Sequence, residues 1–137
     1  GHPLGCALGV KAIEIYQKRD ILGHVRKLAP LFAARLEKLR DHPLVGEPRA
    51  CGLVGAVELV ADKKTKRPFD PKQGVGPATA KFCEGQGAIL RAIGDSIAFC
   101  PPMIITEAEL NELFDRFEKA IDEAEAWVTK EKLRTPA

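Results

Sequence analysis

The sequence has no cysteine pair of the CxxC kind, no excess of either charge, no long apolar run and none of the short motifs that mark common catalytic folds. Each absence removes a class of function. Cys6, Cys51, Cys83 and Cys100 lie far apart with no histidine at ligand spacing, which argues against a disulfide framework or a zinc site. Thiols buried in a reducing cytoplasm are the expected arrangement. Lys and Arg number 21 against 19 Asp and Glu, a net charge of +2, so nothing electrostatic points to nucleic acid or to a membrane surface. The stretch 92–105 carries only Asp95 as a charge but holds Pro101 and Pro102 side by side, which rules it out as a spanning helix. The chain therefore reads as soluble and cytoplasmic, without a nucleic-acid or membrane partner.

Catalytic signals are missing in the same way. No glycine-rich loop follows a strand, Gly-X-Ser-X-Gly and HEXXH do not occur, and the basic stretch 62–68 lacks the interleaved aromatics of single-strand binders. No pair of acids stands out as a general acid and base. Lys11 and Lys81 fall on polar faces of helical patterns, without the desolvation that turns a lysine into a nucleophile. The chain's own residues supply no catalytic centre and no metal site.

What is present is one ordinary domain's worth of amphipathic pattern. At 137 residues, 45% apolar and 29% charged, the chain can bury a real core. Apolar or small residues at Leu4, Ala7, Leu8, Ala12, Ile15 and Tyr16 predict a helix over 4–19, with Pro3 in its first turn. Gly5 and Gly9, four apart, suggest that it packs closely against another element. Asp20 is suited to cap a second helix whose buried stripe is Val25, Leu28, Phe32, Leu36 and Leu39. Pro30 falls inside it and predicts a kink or a break. Two antiparallel strands follow over 44–51 and 53–60, the first ending near Arg49, which reads most simply as a surface charge. The polar loop 61–74 holds a cluster of four basic residues over 62–68 that suits either water or an acidic partner. A short helix over 75–86 comes next. Thr106 and Glu109 have capping-box spacing before a last helix with Leu110, Leu113, Phe114, Phe117, Ile121, Ala124 and Val128 on one face. Residues 132–137 should fray.

The remaining stretch is the informative one. Residues 89–100 read as a strand carrying Arg91, a turn at Gly94-Asp95 and a second strand stopped by Pro101-Pro102. An arginine among Ile, Leu and Ala just before a turn is either a charge reaching water or a guanidinium held for an anion. For the second role a carboxylate is the natural guest, because the planar fork matches it.

Gly1-His2-Pro3-Leu4-Gly5-Cys6-Ala7, the segment from Arg49-Ala50-Cys51-Gly52 through Glu58-Leu59-Val60, and Leu90-Arg91-Ala92-Ile93-Gly94-Asp95 with Pro101-Pro102 and Ile104-Ile105-Thr106 resemble, in this order, the C-terminal third of class III pyridoxal-phosphate aminotransferases. The branch most similar is that of the omega-amino-acid or amine:pyruvate transaminases. The resemblance implies an α+β fold, a small antiparallel sheet with helices on one face. Residues 20–137 would be the small C-terminal domain, and 1–19 the helix leaving a large cofactor domain. It implies that Arg91 is the family's mobile arginine, pairing with the carboxylate of pyruvate or an amino acid and swinging away for an uncharged amine. The implied cofactor is pyridoxal 5'-phosphate, and the implied partners are an amino donor, a pyruvate-like acceptor and a second subunit of a homodimer. The family's cofactor-binding lysine, ring aspartate, stacking aromatic and phosphate-binding threonine all match positions before Gly1, so the fragment alone is expected to be inactive. The alternative from another class is a stand-alone, non-catalytic α+β module for dimerisation or small-acid binding.

Overall fold

The computed structural model describes residues 1–134. Its elements run α1 (Pro3–Lys18), α2 (Ile21–Lys38), β1 (Val45–Cys51), β2 (Val54–Leu59), α3 (Val75–Gly85), β3 (Arg91–Ile93), β4 (Ser96–Phe99) and α4 (Glu107–Lys130). The strands form one antiparallel sheet in the order β1-β2-β4-β3. Helices α2 and α4 cover one of its faces, the arrangement expected from the sequence.

Local chemistry sets the helix starts. Asp20 accepts from the Gly23 N–H at 3.2 Å, and Thr106 and Glu109 close a full capping box, with Thr106 N–H donating to Glu109 Oε2 at 2.8 Å. Their apolar stripes then meet. Phe32 of α2, Phe99 of β4, and Phe114 and Phe117 of α4 are all fully buried. Phe99 stacks on Phe114 at 5.3 Å and meets Phe117 edge-on at 4.8 Å, while Phe32 stands edge-on to Phe114 at 5.5 Å. Removing any one of these rings would cost about 3–5 kcal/mol. Gly55 lets this cluster sit close to the sheet, since a Cβ there would overlap Leu36 and Phe32. Arg35 clamps α2 to α4 by donating to Asn111 at 2.9 Å and Asp115 at 2.6 Å, with its guanidinium 5.3 Å from the Phe114 ring centre.

Two expectations are corrected, on the end of α4 and on the cysteines, and the alternatives at Pro30 are narrowed. Helix α2 is not broken at Pro30 but continues to Lys38. Pro30 and Arg26 are exposed, so the Arg26 carbonyl that lacks its amide partner can reach water, while buried Leu28 and Phe32 hold both sides of the proline to the core. The end of α4 does not fray over residues 132–134. Lys132 adopts a left-handed conformation with φ 57°, and Leu133 N–H to Val128 O at 3.0 Å with Lys132 N–H to Thr129 O at 3.2 Å make a Schellman closure. Residues 135–137, also expected to fray, lie outside the described residues. Among the cysteines only Cys83 is buried, its thiol pushed up to about 11 by that burial; Cys6, Cys51 and Cys100 are exposed.

Of the basic residues in the loop 61–74, three turn inward to the chain. Lys63 donates to the carbonyl of His42 at 3.2 Å, Lys66 pairs with Glu47 at 3.0 Å, and Arg67 donates to the Arg134 carbonyl at 2.7 Å. By contrast α1 has no buried residue, and Leu4, Leu8, Val10 and Ile13 on it are about 60% exposed.

His42 makes the fold sensitive to acid. Its Nδ1 accepts from the Leu44 N–H at 3.2 Å, which leaves the ring proton on Nε2, 3.3 Å from Asp122 Oδ1. Burial holds the imidazole below its ordinary value, against the pull of Asp122 and Glu125, and Lys63 acts in the same sense as burial. Unfolding releases the ring, so over that range the unfolded chain binds more protons and stability falls as pH falls. The urea midpoint should therefore drop between about pH 7 and about pH 5, with a smaller drop in His42→Gln. An equal slope in the variant would assign the acid sensitivity elsewhere.

Candidate functional site

The pleat of β4 decides where Arg91 points. Ile97 and Phe99 face the aromatic cluster and are fully buried, so Ala98 between them must face the other way. Arg91 is directly opposite Ala98, and Ala92 is opposite Ile97. Arg91 therefore shares the open face of the sheet with Ala98, on an edge strand. Across the whole sheet Arg49, Ala56, Ala98 and Arg91 form one row of opposed residues, with an arginine at each border and alanines between.

The two arginines differ in state. Arg49 pairs with Glu58 at 2.9 Å, and both side chains are about half exposed, in keeping with a surface charge. The Arg91 guanidinium is exposed and has no hydrogen-bond or ion-pair partner among the described residues. Beside it lies a groove of about 530 Å³ walled by Leu90, Ala98, Pro101, Pro102, Ile105 and Leu113, with Cys100 at its edge. Pro101 and Pro102 contribute no backbone donors, which keeps that wall apolar. His24 of α2 fixes the far end, its Nε2 donating to the Ile105 carbonyl at 2.8 Å.

A planar cation at the lip of an apolar groove can hold a carboxylate while a carbon chain lies against the wall. No Lys, His, Asp or Glu lines this groove, so what its walls and Arg91 offer is binding and orientation. Lys11 is exposed and pairs with Glu14 at 2.9 Å, and Lys81 is exposed on α3. Every described lysine is exposed. Among the described residues no cluster of His, Cys, Asp and Glu could hold a metal, and no helix is long and apolar enough to cross a membrane. The sequence had singled out Arg91; the groove was missed, because its walls come from β3, β4, the diproline segment and α4. The only signal for it was the strand alternation that puts Arg91, Ala98 and Cys100 on one side.

Fold and site together define a small α+β domain that carries an exposed arginine beside an apolar groove. Comparison with known proteins gives its family: the class-III aminotransferase profile matches residues 1–121, and the chain belongs to that family, whose members use pyridoxal phosphate. A probable gamma-aminobutyrate transaminase 3, mitochondrial, from Oryza sativa subsp. indica is 35% identical over 98% of this chain and 26% of its own length. A putrescine–pyruvate aminotransferase from Pseudomonas aeruginosa is 39% identical over 93% of this chain and 28% of its own. The solved structure of an omega-transferase from Vibrio fluvialis JS17 superposes with a TM-score of 0.91 at 43% identity, over 94% of this chain and 30% of that one. The chain thus spans about a quarter of the length of the curated relatives it matches.

An arginine kept for a ligand should be dispensable for folding. Arg91→Ala should change unfolding free energy by no more than about 0.5 kcal/mol, read from urea titration of the 137-residue chain. A loss several times larger would make Arg91 a structural residue.

Proposed function

We propose that this chain is the C-terminal part of a pyridoxal-phosphate-dependent transaminase that moves an amino group from an amine or omega-amino acid to pyruvate. Arg91 is its substrate-binding residue and pairs with the acceptor carboxylate. The observation that carries this reading is an arginine without a partner among the described residues, at the lip of an apolar groove. Pyruvate as acceptor is supported by the name of the Pseudomonas aeruginosa relative.

On this reading residues 1–19 leave the large cofactor domain, which would cover the apolar side chains that α1 exposes. Residues 20–137 are the small domain, and the enzyme is a cytoplasmic homodimer. The cofactor is held by residues outside the groove, which no lysine lines. The chain alone is inactive on this reading.

Two outcomes test this. A charge-assisted pair contributes roughly 1.5–3 kcal/mol, so Arg91→Ala in the full-length enzyme should lower kcat/KM for pyruvate by about 10- to 100-fold. Turnover of an uncharged aldehyde acceptor should fall far less, and equal losses would refute the carboxylate role. The isolated chain mixed with pyridoxal phosphate should give no saturable imine absorbance beyond weak surface-lysine adducts. A saturable band accompanied by consumption of amine would overturn its inactivity.

A further inference from the structure

The hairpin that presents Arg91 is too short to hold its own position. Strand β3 has three residues, pairs only with β4, and sends only Ala92 toward the core. Two-stranded ribbons of this size are marginal by themselves, so something beyond the ladder must fix the turn between Ile93 and Ser96.

Asp95 makes that attachment twice. Its backbone carbonyl accepts from the Leu59 N–H at 2.9 Å, tying the turn to the end of β2. Its side chain accepts from the Gly76 N–H at 2.9 Å, tying the same turn to the first turn of α3. The N-cap of helix α3 is Gly74, which has no side chain to cap it, so Asp95 fills from another element the role that a local capping residue would have. The approach is tight. Gly94 has φ 58°, and a Cβ on Gly76 would overlap the Gly94 carbonyl oxygen. Turn and helix therefore interlock through backbone, with no flexible side chain between them to absorb a shift.

Asp95 is also an unfavourable residue to place here. It is half-buried with no cation paired to it among the described residues. Burial pushes its carboxyl up, opposed only by the Gly76 N–H. Between its ordinary and folded values the native state binds more protons than the unfolded chain, so ionising Asp95 lowers stability as pH rises through that range. An asparagine would offer an acceptor without that cost. A residue that breaks a local rule in this way, four positions from the ligand-binding arginine, is best explained by what its geometry does.

We propose that Asp95 is the positioning residue for Arg91: by fixing the β3–β4 turn to α3 and β2, it sets where the guanidinium meets the acceptor carboxylate. This rests on the carboxylate role given to Arg91 above. Asp95 touches no substrate and acts through the three-residue strand. Misplacement of a binding group by about 1 Å costs up to about 100-fold in rate, and a loosened turn moves a three-residue strand as a whole.

The test compares Asp95→Glu, Asp95→Ala, Asp95→Asn and Arg91→Ala in the full-length enzyme, each assayed with pyruvate and with an uncharged aldehyde acceptor. Asp95→Glu keeps a carboxylate cap on α3 but lengthens the tether by one methylene. It should raise the KM for pyruvate about tenfold while its KM for the aldehyde stays within about twofold. A residue that only caps the helix would leave both constants at parental values in Asp95→Glu, and that result overturns the proposal even if Asp95→Ala does not fold. Asp95→Ala should show the same selective rise where it folds, and equal losses on both acceptors would count against positioning. Asp95→Asn should stay near parental KM on both acceptors; a selective rise there would mean that the charge itself, not the tether, carries the effect, and would also overturn the proposal. If Arg91→Ala shows no selectivity between acceptors, the carboxylate reading beneath has failed and the proposal falls with it. Selective loss in Arg91→Ala with no effect in Asp95→Glu refutes the positioning role alone.

Discussion

The pleat of β4 beneath the four-phenylalanine cluster is the constraint on which the rest depends. Phe99 is held by rings from α4 on two sides, and Ile97 two residues before it is equally buried. A one-residue slip of this strand would turn Phe99 to water and rotate its neighbours inward. Because β3 is registered on β4, with Arg91 opposite Ala98, that slip would also carry the guanidinium toward an apolar core where an unpaired charge is very costly. The same hydrophobic burial that stabilises the domain therefore fixes the side of the sheet on which Arg91 stands. Packing and site placement are one constraint here.

Much of the architecture was legible because it depends on local periodicity. The stripe on α4 is buried at Leu110, Phe114, Phe117, Ile121, Ala124 and Val128, and the capping box forms as its spacing predicts. Leu113, read with that stripe, packs against the core from its margin and also forms groove wall. The break that Pro30 allowed does not occur, because a proline removes one hydrogen bond whereas α2 is held by burial on both sides of it. The closure after α4 was invisible for a similar reason. The left-handed position is occupied by Lys132 rather than glycine, and its stabilising partners come from distant loop residues: Arg67 donates to the Arg134 carbonyl and Gln73 to that of Leu133.

The site was only half legible. Arg91 could be singled out by charge in an apolar context and by family resemblance, since both are properties of the linear chain. The groove beside it exists only when Ile105 and Leu113 are brought to the edge of β3 by docking of α4. Asp95 shows the limit most clearly. In sequence it is one half of a turn signal, and nothing local says that its side chain will cap a helix starting twenty residues earlier.

The groove also bears on how strong a carboxylate pair at Arg91 could be. Two opposite charges 4 Å apart interact by only about 1 kcal/mol in bulk water and by about 4 kcal/mol at the effective dielectric near a protein surface. An arginine on a wet, polar edge would therefore discriminate poorly between charged and uncharged acceptors. Here the wall beside it is Leu90, Pro101, Pro102, Ile105 and Leu113, so a guest lying against it displaces water from the neighbourhood of the pair. With no ligand, the guanidinium stays exposed and carries no desolvation cost. With a carboxylate, it gains a partner in a drier setting; with an uncharged guest, a long flexible side chain on an edge strand can turn back to water. Selectivity on the proposed reading follows from this asymmetry, and it requires a cation placed at the border of an apolar wall rather than within it.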